Sequence, residues 1–166
     1  MPTAFADLTE TELNELIRKS APARSVYEWM KGRNLFLKAS KSDEVEFQFT
    51  GKTETQVSFI ITQVKKLPNA LVVISNLEFI PIHFNALTKL SPKDKDDFLW
   101  SLKKELIFAP ATFNMIPDGR NPKSIQFAKE IAFDELSEGR LHEALDAVCR
   151  STIWTAWTIV RKFGEP

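Results

Sequence analysis

The sequence predicts an α+β domain: one antiparallel sheet flanked by helices, in the order α-ββββ-α-ββ-α. Three observations carry this. Between Leu35 and Ile74 the apolar residues recur with period two, in short runs separated by turn residues. Ser91 to Phe108 then reads as a well-marked helix that divides one strand block from another. A long helical run beginning near Ser137 closes the chain.

Met1 to Asp7 reads as a frayed lead-in. Thr9 and Glu12 have capping-box spacing, and Leu13, Leu16 and Ile17 fall on one face of the helix that follows. Ala21-Pro22 interrupts it. A second piece carries Val26, Trp29 and Met30, with Gly32 as its stop. The two pieces form either one kinked helix or a short helical pair.

Four strands follow as an antiparallel meander, because each connection is too short for a crossover. Leu35 and Leu37 begin the first. Lys41-Ser42-Asp43 turns the chain, and Val45, Phe47 and Phe49 line one face of the second. Thr50-Gly51-Lys52-Thr53 reads as the next turn. Val57, Phe59 and Ile61 line the third strand. Leu71-Val72-Val73-Ile74 is apolar throughout, as expected of a central strand covered on both faces.

Phe79 to Leu90 reads as an irregular or partly helical link. Ser91 then N-caps the middle helix, with Pro92 at its first position, aspartates in its first turns and Lys103-Lys104 near its end. Phe98, Leu99, Leu102 and Leu106 share one face, whereas Trp100 and Ile107 lie roughly opposite. Pro110 ends the helical region. A hairpin follows, turning at Pro117 to Pro122. Ser137 caps the last helix, which runs to Phe163 with Gly164 as its stop. Its second half is nearly all apolar, with Ile153, Trp154 and Trp157 off the main face.

Residues 1–20 are expected to be an N-terminal helical extension, and residues 21–166 a single α+β domain. Lys+Arg and Asp+Glu both number 22, so the net charge is zero. That argues against nucleic acid and against electrostatic membrane binding, which both need a basic footprint. No apolar run approaches the ~20 residues of a membrane span, and no signal peptide is evident. One cysteine makes no internal disulfide. A cytoplasmic protein is the expectation.

Familiar reaction chemistry is absent from the sequence. Gly51-Lys52-Thr53 ends like a phosphate-binding loop, but Glu46 stands where a further glycine is needed and the stretch leads into a strand. His142-Glu143 lacks the second histidine of a zinc protease, Asp146 standing in its place. Glu138, His142 and Asp146 share a helix face, a spacing common on solvated helices, so neither metal nor cofactor is expected. Cys149 reads as a small buried thiol, and His83 as a structural hydrogen-bonder. Arg120 and Asn121 are explained by turn chemistry.

The aromatic excess remains, and tryptophan is enriched at interface hot spots. Trp100, Ile107, Ile153, Trp154 and Trp157 are the candidates for a partner surface, the alternative being that they fill the core.

The chain resembles the domain of unknown function 2299 family, mainly archaeal proteins, over about Ser25 to Phe163. The resemblance rests on Val26 to Met30, on Ile82-His83-Phe84 leading to Ser91-Pro92, on Asp97 to Leu102, and on Leu145 to Gly164. It carries no catalytic motif. The element order is also similar to the type III secretion chaperone-like fold. That likeness implies a homodimer that binds other proteins, by analogy of fold alone. The functional expectation is a non-catalytic protein-binding, chaperone- or adaptor-like module with a protein partner. The alternative is a small-ligand protein or enzyme whose site is assembled from scattered residues such as His83, Arg120 and His142.

Overall fold

The computed structural model describes residues 5–165. Seven strands make one antiparallel sheet in the spatial order β1-β2-β3-β4-β5-β7-β6. Of the expected N-terminal lead-in, residues 1–4 lie outside the described residues. Ala6–Asp7 is not frayed but pairs with the first long strand as β1.

Glu10–Lys19 is α1, with the Thr9–Glu12 capping box formed in both directions. Ala21–Gly32 is α2. The break at Ala21-Pro22 therefore makes two helices. Ser20 ends one and caps the next, its hydroxyl accepting the Ala23 N–H at 3.2 Å. Gly32 is the last helical residue rather than the stop, and the left-handed position falls on Asn34 (φ 56°).

The meander consists of β2 (Phe36–Lys41), β3 (Val45–Lys52), β4 (Ser58–Val64) and β5 (Ala70–Glu78). In register, Phe49 faces Ile61 and Ile61 faces Val73. Thr50, Gly51 and Lys52 do not turn: they belong to β3, and the turn lies at Thr53 to Val57, where Gln56 takes the left-handed conformation (φ 66°). Gly51 is required for a different reason. A Cβ there would stand 2.7 Å from the Leu35 carbonyl oxygen and from Met30 Cε, and would collide with the Phe59 ring.

Of the two readings of the Phe79–Leu90 link, irregular or partly helical, the second holds: it contains a helix, α3 (Pro81–Lys89). Then come α4 (Pro92–Leu106), the hairpin β6 (Thr112–Ile116) and β7 (Ser124–Ala132), a single 3₁₀ turn at Phe133–Glu135, and α5 (Glu138–Phe163). The Ser91 and Ser137 hydroxyls accept the first-turn amides of Asp94 (3.1 Å) and Arg140 (3.2 Å). Gly164 closes α5 at φ 91°.

The helices that pack on the sheet, α2 and α5, lie on one face of it: α2 over β2 and β3, α5 over β5 and β7. The core lies there, with Phe47, Phe49, Phe59, Ile61, Leu71 and Phe127 fully buried. This corrects the reading of β5 as covered on both faces. Leu71 and Val73 are buried, whereas Val72 and Ile74, on the other face, are half-buried. Helix α5 presents serine, threonine and alanine to the core. Thr152 Oγ lies within hydrogen-bond distance of Ser75 Oγ (3.0 Å) and of Val148 O (2.8 Å), its single proton serving one of them, and Ser75 Oγ also reaches Ser58 O (3.1 Å), so these buried hydroxyls have partners. Helices α3 and α4 pack against α5, and α1 against α2.

Candidate protein-binding surface

Helix α4 is held from two sides. Its Phe98, Leu99, Leu102 and Leu106 are buried against the body of the domain. Phe98 meets Phe163 of α5 edge-on at 5.1 Å. On the opposite flank, the loop between β6 and β7 is latched to α4 by polar bonds. Buried Lys95 donates to Asn121 Oδ1 (2.8 Å), Arg120 pairs with Asp96 (2.7 Å), and Lys103 approaches Asp118 (3.8 Å). Arg120 and Asn121 thus position a helix.

Between α4 and α5 runs a groove. One part, about 510 Å³, is walled by Ser101 and Glu105 of α4 and by Trp154, Trp157, Arg161 and Lys162 of α5. The next part, about 330 Å³, lies between the Phe108-Ala109-Pro110 corner and Arg150, Ser151 and Trp154. Trp154 and Glu105 line both. The aromatic surface is open to solvent: Phe108 is 84% exposed, Trp157 69% and Trp154 39%. Exposed aromatic area of this kind is the main apolar resource of a binding surface. The α5 wall is basic at its rim. Arg150 is engaged by Asp146 at 2.9 Å, whereas Arg161 and Lys162 have no ion-pair partner among the described residues.

The five residues singled out from the sequence do not share one patch. Trp154 and Trp157 line the groove, and Ile153 is half-buried on the same helix. Trp100 and Ile107, 72% and 70% exposed, lie on the other flank of α4, where Trp100 neighbours the hairpin loop. Phe108, Arg150 and Arg161 were missed. Phe108 had a signal: it follows Ser101 and Glu105 at helical spacing, on the flank that meets α5.

The scattered polar residues of the ligand-site alternative stay apart. His83 is buried, its Nε2 hydrogen-bonded to the Gly164 carbonyl oxygen at 2.9 Å, which ties α3 to the end of α5. His142 lies near the start of α5, about 30 Å away along that helix. Cys149 is buried, and desolvation, with Asp146 adding repulsion, pushes its thiol up to about 11. It is a poor nucleophile at neutral pH. Asp146 faces Arg150. Among the described residues no three His, Cys, Asp or Glu side chains come together as metal ligands, and no helix is long and apolar enough to cross a membrane.

The sequence profile of a family described as uncharacterized conserved protein (DUF2299) matches residues 23–159. The chain belongs to this family. Helices α2 to α5 and strands β2 to β7 fall within the match, apart from the first residues of α2 and the last turn of α5. An uncharacterized protein from Methanothermobacter thermautotrophicus, known from a crystal structure, superimposes with a TM-score of 0.80 at 19% identity. The alignment covers 86% of this chain and 99% of that one, so the two share the fold. A chain of the HopA1-SchA chaperone-effector complex is also similar, with a TM-score of 0.47 and 12% identity over 93% of this chain and 98% of that chain. No curated relative matches.

Proposed function

We propose that this member of the DUF2299 family is a non-catalytic protein-binding module of the cytoplasm, an adaptor or chaperone-like protein that works as a homodimer. The α4–α5 groove is its docking site. The observation that supports this reading is the run of exposed aromatic surface formed by Phe108, Trp154 and Trp157 along one continuous groove. Arg161 and Lys162 on the α5 rim, facing Glu105 on the α4 wall, favour a partner whose apolar segment carries acidic residues on the side toward α5. A lone buried thiol suits a reducing compartment.

Selection of displayed peptides on the intact protein tests this. The expected consensus combines bulky apolar residues with Asp or Glu. Trp157→Ala should weaken the selected peptides by about 2 kcal/mol, roughly thirtyfold. The fold should be unaffected, because exposed substitutions change stability by ~0.5 kcal/mol or less. Selected peptides that bind the Trp157→Ala protein equally well would show that the groove is not the docking site.

A further inference from the structure

The flank of α4 turned away from the groove carries a separate pattern. Asp97, Trp100, Lys104 and Ile107 are all exposed and fall within an arc of about 80°. Asp97 and Lys104 have no ion-pair partner within the chain among the described residues. The order of charge along this stripe is self-complementary. Asp97 and Lys104 lie at equal distances on either side of the midpoint between Trp100 and Ser101. Two copies of α4 laid antiparallel about a twofold axis at that midpoint therefore bring Asp97 of each against Lys104 of the other. A parallel arrangement brings like charges together.

The free edge of the sheet offers a second self-complementary element. β6 is the last strand of the sheet and is joined to α4 through residues 107–111. Thr112-Phe113-Asn114-Met115-Ile116 carries no charge and no proline, so its free backbone groups are unguarded. The opposite edge is treated differently: there β1 is two residues long, and Lys38 and Lys41 are paired with Asp7 and Glu12. An antiparallel pairing of two β6 strands has the same twofold symmetry.

We propose that a second copy of this chain packs on the Trp100 flank of α4 and along the edge of β6. This places the homodimer of the functional reading, and rests on that reading only for the existence of the dimer. The contact strip is about 22 Å of helix by ~10 Å, with about 17 Å of strand beside it. It covers roughly 400 Å² per copy, below the ~800 Å² per partner of a standard interface and in the size class of weak contacts, so a weak dimer in the micromolar range is expected.

Sedimentation velocity of the full chain from about 1 to 200 μM brackets that range. The mass should climb from 19.0 kDa toward twice that value. Asp97→Lys and Lys104→Asp should each raise the dissociation constant about tenfold or more, because each sets like charges against each other across the axis. An equimolar mixture of these two variants should associate like the wild type, since both contacts in the mixed dimer again join opposite charges. Trp100→Ala should weaken association without changing the thermal melt. A dimer of wild-type strength in all three variants overturns this interface and leaves the dimer standing. A monomer at every concentration overturns both.

Discussion

Gly51→Ala is a substitution in which two known effects oppose each other and the structure decides the sign. Replacing glycine by alanine in a strand ordinarily stabilises, by about 0.4–1 kcal/mol, because the unfolded chain loses freedom. Here the new methyl enters a filled space. It would stand 2.7 Å from the Leu35 carbonyl oxygen and from Met30 Cε, and overlap the Phe59 ring, where carbon contacts settle at ~3.5–4 Å. Met30 and Phe59 are 0% and 1% exposed, so neither can swing into solvent. The Leu35 carbonyl is held by the Lys52 amide at 3.1 Å. Overpacking of this kind costs about 1–3 kcal/mol, and backbone involvement places it at the upper end. The net expectation is a loss of about 2 kcal/mol, seen in urea as a lower midpoint with an unchanged slope. In a thermal melt it appears as a drop of roughly 4–8 °C. Gly32→Ala is the control. It has nothing within 4 Å of the added Cβ and should stabilise by about 0.5 kcal/mol. Equal or greater stability of Gly51→Ala would refute the close-approach reading.

Cys149 should react slowly with a thiol reagent at neutral pH and quickly once denaturant exposes it, since burial raises its thiol to about 11. Complete reaction of the native protein within the time of the denatured control would contradict that burial. Glu12 should titrate near pH 2. The Lys41 ammonium bonded to it, followed by the Thr9 backbone amide, lowers it from its ordinary 4.5. Because the ionised form is the one held in the folded state, its contribution is complete above pH 4.5 and fades as the pH falls toward 2. Lys41→Ala should move the Glu12 midpoint upward in a carboxyl NMR titration, and an unmoved midpoint would remove Lys41 as the main cause. Thr152→Val should cost about 1 kcal/mol by chemical denaturation, because it deletes the hydroxyl that bridges α5 to Ser75 on β5. No change would mean that this bridge is dispensable.

Much of the architecture was legible because its signals are local. Ser91, Ser137 and the Thr9–Glu12 pair each satisfy backbone amides within a few residues, so type and spacing suffice to find a helix start. Gly164 marks a helix end for the same reason. Period-two alternation through Val45 to Phe49 and Val57 to Ile61 placed two strands and their buried faces. The failures occurred where the deciding atoms are distant in sequence. Gly51 looked like a turn residue, but its neighbours are Met30, Leu35 and Phe59. The Phe79–Leu90 link reads as irregular or partly helical, and only its packing settles it as a helix over Pro81–Lys89 that buries His83 and Leu87 and is tied by His83 to the end of α5.

The candidate surface divides along the same line. Composition and helical phase were enough to pick out Trp100, Trp154 and Trp157 as residues not needed by the main apolar face of their helices. Only the packing of α4 against α5 on one flank, and against the β6–β7 loop on the other, separated Trp154 and Trp157 from Trp100 and Ile107. The sequence by itself determined the family, the fold class and the order of the main elements, β1 and α3 excepted, because periodicity and capping are written within a turn or a strand. The tertiary structure alone decided that the helices packed on the sheet lie on one face of it and that α4 presents two separate exposed flanks. Burial depends on which distant segment arrives to exclude water, and no local pattern records that.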